Sequence, residues 1–465
     1  MQSSRLAGWM VFTGILLVLA SIGLLSSVAD DWEQANGPLL QQKITVNAGR
    51  SEAAGSTPGL HWKDAERLAQ RWSPLPTAYS ARTQTAALFG SNAAHTDVFG
   101  VSGSFRDFTA IPMVSGSSIT QRPVDEHSRV AVIGARVADS LFHSTSVAGK
   151  TIELFGVAFT VIGVFDDEGS LLRMMSDDGV PDVLIPITTM FDVYPGARIE
   201  TIQLAVKSDA AFGVENKASE ALRAIGSNPA QFHFVNDTLT FARFAQLRFL
   251  LLTVCMWITV VLLARFIVRH TRVIYDLLRS RLITDNWTDA LRNERSRITR
   301  HLLAVIVMAG GAVGVWKLTI FRFDVPPEWI PEQIIDISFY MDKLRSLWQE
   351  QASQIGYLPP PHELIADAAG QLTVKLFIAG AMIGLPLFLL GLRLWALERI
   401  ALSIQLQRLC IYVVLSAVAS FGTARLAGMA YRIEPLEYMV TSALFLVSIL
   451  HFNKGVTPSH GKNVS

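Results

Sequence analysis

Residues 8–28 read GWMVFTGILLVLASIGLLSSV. No charge interrupts this stretch, and a helix needs only about 20 apolar residues to cross the hydrocarbon core of a bilayer. The next two hundred residues decide the architecture. Residues 30–240 carry the turn residues and polar spacing of a water-exposed domain. Five more apolar segments come after them, at 246–268, 302–321, 373–395, 409–430 and 436–452. The reading is a membrane α-helical protein with about six transmembrane helices and an extracytoplasmic α+β domain inserted between helices 1 and 2. A domain tethered at both ends to membrane helices is placed to feel their movement. A cleaved leader is the alternative for 8–28, because Ser27-Val28-Ala29 has the small residues of a processing site. The positive end is only Arg5 and the run is long enough to span, so an uncleaved anchor is favoured.

Composition agrees. Half of the chain is hydrophobic and 17% is charged, a balance suited to an integral membrane protein with a substantial soluble part. The net charge of +1 supplies no broad basic field and argues against nucleic acid. The two cysteines, Cys255 and Cys410, fall inside apolar segments and read as small packing residues, so the inserted domain has no disulfide.

Orientation follows from Lys and Arg in the short loops. Arg269, Arg272, Arg279, Arg281, Arg292, Arg295, Arg297 and Arg300 separate the second and third segments, which puts that loop in the cytoplasm. The 322–372 loop is acidic, with Asp324, Glu328, Glu332, Asp336, Asp342, Glu350, Glu363 and Asp367, and faces outside. Arg393, Arg399 and Arg408, then Lys454 and Lys462, face inside. Both termini are therefore cytoplasmic. The expected divisions are an anchor at 1–29, the soluble domain at 30–240, a stalk with helices 2–3 and the basic loop at 241–321, an external loop with an amphipathic helix at 322–372, and helices 4–6 with a tail at 373–465.

Within the soluble domain, RVAVIG (129–134), TIELF (151–155), AFTVIGV (158–164) and DVLIP (182–186) are short, Val/Ile-rich and bounded by Gly, Pro or Asp, as strands are. ARVADSLF (135–142) and residues 210–225 have helical spacing. The combination VFGVSGSFRDFTAIPMVSGSSITQ (98–121), SRVAVIGARVADSLF (128–142) and VAGKTIELFGVAFTVIGVFDD (147–167) resembles the periplasmic core domain of the MacB family. That family comprises FtsX-related permeases of type VII, mechanotransmitting ABC transporters. The matching elements are an aromatic-led segment ending in Gly (105–116), V-A-V-I (130–133), Leu141-Phe142, G-K-T-I (149–152) and V-I-G-V (161–164). The resemblance implies a permease subunit in the bacterial cytoplasmic (inner) membrane. It would act with a separate ABC ATPase subunit, a second permease copy or paralogue, and a periplasmic adaptor, moving a substrate already outside.

Gly149-Lys150-Thr151 imitates the end of a phosphate-binding loop, but Ser144 stands where the first glycine belongs, and no other G-x-x-x-x-G-K-[ST] occurs. A turn into a strand is the reading there, and the ATPase is expected on another polypeptide. Residues 236–269 lack Gly and Pro, so one stalk helix of about 50 Å can run into the membrane, with a break near Thr240 as the alternative. The coupling element that docks on the ATPase is expected in VIYDLL (273–278) and RSRLITDNWTDALRNERSR (279–297), with Arg279, Arg281, Arg292 and Arg295 as candidate contacts. The family's E-I-G…A-L-G-A signature is absent from it. A lipid-binding interfacial helix is the plainer reading of the same residues, and an ATPase-independent membrane scaffold or sensor is the alternative for the whole chain.

In the external loop, Pro326, Pro327 and Pro331 precede, and Pro359, Pro360 and Pro361 close, a helix pattern of Ile334, Ile335, Phe339, Leu344, Leu347 and Trp348. It can lie on the membrane or pack under the core domain. Gly310 with Gly314 and Gly380 with Gly384 are small-xxx-small pairs, candidates for helix packing within the chain or between copies. Pro386 is expected to kink the fourth helix. Arg265, Lys317, Lys375 and Arg393 sit near segment ends and read as snorkelling, whereas Arg425 lies deeper and has Glu434 or Glu437 as candidate partners. The ten histidines show no metal-binding spacing and no nucleophile has a recognisable base, so no catalytic, cofactor or metal site is expected. Asn236-Asp237-Thr238 is a lone glycosylation sequon.

Overall fold

The computed structural model describes residues 2–35, 39, 42–48, 50–51, 59–167, 181–207, 213–283, 287, 291–292, 294–321, 323, 330, 336–353, 357–358, 361–398, 400–426, 428–429, 431 and 434–453. Asp324, Pro326, Pro327, Glu328, Pro331, Glu332, Ile334, Ile335, Pro359, Pro360, Arg399, Lys454 and Lys462 lie outside the described residues. The chain divides into a membrane unit (1–27, 245–323 and 372–465) and an extracytoplasmic unit (28–244 and 324–371).

The extracytoplasmic unit is built on β1 (Lys43–Ala48), β2 (Arg50–Ser51), β3 (Thr77–Phe89), β4 (Asn92–Val101), β5 (Met113–Gly116), β6 (Val130–Gly134), β7 (Thr151–Leu154), β8 (Val157–Phe165), β9 (Val183–Pro186), β10 (Thr201–Ala205), β11 (Phe232–Asn236) and β12 (Tyr357–Leu358). Its main sheet runs β11-β1-β10-β3-β4-β9-β6-β8-β5, with β7 against β8 and the end of β3. The β4–β9 and β6–β8 pairs are parallel and the rest antiparallel. All four residues of β9 are buried, as are the last four of β6. Runs this apolar belong to strands covered on both faces. The short helix Ala135–Phe142 contributes Val137, Ala138 and Leu141 to that cover. The smaller pairing, β2 with β12, ties residues 50–51 to 357–358. Residues 324–371 thus group with the extracytoplasmic unit, while Leu344 and Trp348 on the Ile337–Ser353 helix are exposed.

Two motif glycines have specific physical jobs. Gly116 has φ +76°, and a Cβ there would lie 2.2 Å from the Ile162 carbonyl oxygen, so no side chain fits between β5 and β8. Gly134 precedes the Ala135–Phe142 helix and has no side chain with which to cap it. The buried carboxylate of Asp167, just beyond β8, does so instead, accepting from the Arg136 backbone N–H at 3.2 Å and from Arg136 Nε at 3.1 Å. A Cβ on Gly134 would sit 2.5 Å from Asp167 Oδ2, so the cap requires the glycine.

The membrane unit contains the six apolar helices. They are drawn from Gln2–Ala35, Asp237–Leu282, Arg295–Thr319, Pro361–Ile378 with its continuation Leu385–Leu397, Leu402–Leu426 and Pro435–Asn453. A π-helical turn at Ala379–Gly384 joins the two parts of the fourth. The chain is a multi-pass membrane protein. The first helix is its centre: 67% of its apolar window is buried, against 6% for Arg295–Thr319. It packs along the fourth helix through small residues. Ideal Cβ atoms on Gly14, Gly380, Gly384 and Gly391 would meet Phe388 N at 2.6 Å, Ser21 Cβ at 2.8 Å, Leu17 Cβ at 3.0 Å and Val11 Cγ2 at 2.8 Å, respectively. With no hydrophobic drive between helices in lipid, such close approach is what holds them together. Pro386 is answered by the π-helical turn, in which the Leu385 N–H reaches back five residues to the Gly380 carbonyl. The wider turn makes room for a ring that would otherwise strike the preceding turn.

Candidate functional site

Strand β11 passes into the Asp237–Leu282 helix with no residue between them. The junction is held from three sides. Asn236 Oδ1 accepts from the Leu239 N–H and caps the helix. Thr45 Oγ1, fully buried on β1, donates to Asp237 Oδ2 at 2.6 Å. On β11 itself, His233 Nε2 lies 3.0 Å from Glu363 Oε1. Asn236, the first residue of the lone sequon, is buried, and its side chain serves as this cap. Beside this junction Lys43 is fully buried, its Nζ donating to the Phe108 carbonyl. Burial pulls its pKa down to about 8, against a partly restoring attraction from Asp237.

The long helix has no break near Thr240. Its 46 residues extend about 69 Å at 1.5 Å per residue. It also continues past the apolar stretch, so Arg279 and Arg281 lie on its last turn and not in a loop. The physical reason is that residues 269–282 contain no Gly or Pro to stop a helix already nucleated. The neighbouring helix begins at Arg295. Two contacts close this hairpin: His270 Nδ1 to His301 Nδ1 at 2.8 Å, and Arg281 to Glu294 at 2.9 Å. Glu294 is buried and also meets Arg297 at 3.4 Å.

The four candidate coupling arginines are thus not equivalent. Arg281 braces the hairpin, Arg279 is exposed, and Arg292 and Arg295 share a shallow cavity of about 360 Å³ with Leu291, Ile298 and Thr299. Ile283, Trp287 and Leu291 recur at intervals of four and are all exposed. The tip of this segment therefore presents cationic and apolar groups together.

The candidate packing glycines also divide. Gly380 and Gly384 face the first helix, whereas nothing lies within 4 Å of a Cβ on Gly310 or Gly314. Among the described residues, no cluster of three metal-ligating side chains occurs.

Residues 10–224 match the sequence profile of the MacB-like periplasmic core domain. The chain carries a MacB-like periplasmic core domain. Its relatives are named as ATP-binding/permease proteins or as an ABC transporter permease. It is 25% identical over 176 residues to the macrolide export ATP-binding/permease protein MacB of Syntrophobacter fumaroxidans, covering 37% of this chain and 24% of that one. With the uncharacterized ABC transporter permease YvrN of Bacillus subtilis it shares 24% identity over 212 residues, 43% of this chain and 51% of YvrN. The chain thus spans a quarter to a half of these relatives. The crystal structure of the periplasmic region of MacB from Actinobacillus actinomycetemcomitans aligns at TM-score 0.37 and 18% identity, over 45% of this chain and 94% of that region.

In this chain a charge pair near the ends of two apolar segments escapes sequence reasoning. Glu437, almost fully buried, has Arg248 Nε 3.1 Å from its Oε1, an ionic approach without aligned hydrogen-bond geometry. Arg248 also donates to Ser26 Oγ at 2.8 Å. Arg425 instead lies over the Phe421 ring at 5.9 Å, so its expected pairing with Glu434 or Glu437 is corrected. Arg248 sits near the start of the second apolar segment, where a charge reads as a boundary residue; only packing brings three helices to it. Arg265, Lys317, Lys375 and Arg393 are exposed, as snorkelling side chains are.

Proposed function

We propose that this chain is the permease subunit of a MacB-like ABC transporter. It relays ATP-driven motion of a separate ATPase to the extracytoplasmic domain, for export or release of a substrate outside the bacterial cytoplasmic membrane. The observation that carries this reading is the direct passage of β11 into a 46-residue helix that ends on Arg279 and Arg281. The bilayer core takes about 30 Å of its length. The residues that start at the domain junction and those that end at the cytoplasmic tip thus belong to one helix. The tip, with Arg292, Arg295, Trp287 and Leu291 exposed, is the ATPase-docking surface. The open face of Gly310 and Gly314 is where a second permease copy or paralogue would pack. A periplasmic adaptor would bind the outer unit. The chain contributes motion and docking and is not itself the catalyst.

The test is affinity purification from native membranes. An ATP-binding subunit should co-purify with the intact chain. It should be lost from a 276–292 deletion and from Arg292→Glu/Arg295→Glu, which leaves both helices in place. If no ATP-binding subunit is recovered with the intact chain, the reading fails. The alternative, an ATPase-independent scaffold or sensor, is favoured by one observation: the tip lacks the family's E-I-G…A-L-G-A sequence.

A further inference from the structure

The N-terminal ends of the first and fifth apolar helices enclose a cavity of about 530 Å³, bordered by Arg5, Trp9, Phe12, Arg408, Tyr412 and Leu415. Two guanidinium groups converge on it, and among the described residues neither has a carboxylate within ion-pairing distance. The wall beneath them is aromatic: Trp9 and Phe12 stand edge-on at 6.0 Å between centroids, and Phe12 and Tyr412 at 5.3 Å. Gly8, also in the wall, lets the Tyr412 hydroxyl come within 3.3 Å of where its Cβ would be. Trp9 is 66% exposed, although a membrane helix bears it.

We propose that this cavity binds the headgroup of an anionic phospholipid of the cytoplasmic leaflet. Guanidinium forks match the oxygen geometry of a phosphodiester and remain charged at any working pH. Basic residues next to Trp and Tyr mark the headgroup depth of a bilayer. Both arginines lie at helix ends placed inside by the charge of the loops. A free phosphate would use the arginines alone. A lipid also covers Trp9, Phe12 and Leu415 with its glycerol and upper acyl carbons, and that apolar wall decides for lipid over a soluble anion. The site does not depend on the transport reading, since it needs only the membrane unit.

The test uses the full chain in detergent, with native mass spectrometry during titration of phosphatidylglycerol or phosphatidylcholine. Phosphatidylglycerol should be retained selectively. Arg5→Gln/Arg408→Gln should weaken it about thirtyfold, from about 1 kcal/mol per basic residue at the membrane surface. The lysine pair Arg5→Lys/Arg408→Lys should restore part of the binding. Arg272→Gln/Arg300→Gln, which removes equal charge from exposed positions, should leave it unchanged. Trp9→Ala, at an exposed position that does not threaten folding, should weaken phosphatidylglycerol several-fold with both charges kept. Equal retention of the two lipids overturns the proposal. So does a Gln pair no weaker than its charge-matched control, or displacement by inorganic phosphate as effective as by the lipid.

Discussion

Gly14 tests the packing of the first helix against the fourth. An alanine Cβ there would lie 2.6 Å from the Phe388 nitrogen and 2.7 Å from its Cα, both backbone atoms that no rotamer change can move. Carbon atoms in contact prefer about 3.5–4.0 Å, so the helices must part by about 1 Å locally. Overpacking of this kind costs about 1–3 kcal/mol. The same substitution gains about 1 kcal/mol of helix propensity. Gly422→Ala, within the Leu402–Leu426 helix, makes the propensity change alone, because its Cβ meets nothing within 4 Å. Subtracting the two variants cancels propensity and leaves the steric cost: Gly14→Ala should be about 1–3 kcal/mol less stable than Gly422→Ala. The assay is equilibrium unfolding of the purified chain in mixed micelles with a denaturing detergent, followed by tryptophan fluorescence, to which the fully buried Trp395 contributes. If the variants agree within about 0.5 kcal/mol, the first helix is not seated as described.

Two further outcomes concern the junction of domain and stalk. Lys43 has a folded pKa of about 8, lowered from 10.5, so the unfolded chain holds the proton more tightly. Stability should therefore rise with pH between about 8 and 10, by roughly 2–3 kcal/mol from this group. Above pH 10 the half-buried Tyr79, raised to about 12, pulls the other way. Lys43→Met should lack the rise in a pH series of thermal melts; an unchanged profile refutes the assignment. Thr45→Val removes a donor to a buried carboxylate at nearly constant shape and should cost about 1.5–3 kcal/mol in denaturant unfolding. A loss near zero would mean that the Thr45–Asp237 bond does not hold the helix start.

Much of this architecture is legible along the chain. The span at 8–28 follows from an unbroken apolar run and that at 246–268 from a predominantly apolar one, and their expected sidedness from the arginines between 269 and 300. The strands β6, β8 and β9 follow from Val/Ile runs bounded by Gly, Pro or Asp. The longest strands, β3 and β4, are not among those runs. Their alanines and polar residues, as in TAYSARTQTAALF, carry a weak β signal, and they form because each finds partners on both sides. The segment at 273–297 is legible as basic and amphipathic, but the clasp of Arg281 with Glu294 is not.

What the sequence determined by itself is everything set by local period and local charge: which segments span, which face is inside, and where the core-domain motifs fall. Only the tertiary structure decided partners. It gave Glu437 to Arg248 and not Arg425, made Asn236 a helix cap, and set Gly14 and Gly391 against the fourth and first helices while leaving Gly310 open. The physical reason is that hydrophobic period and loop charge act through a residue's own neighbours in sequence. Ion pairs and glycine contacts depend on which helices meet, and at what distance, and that is a property of the packed chain.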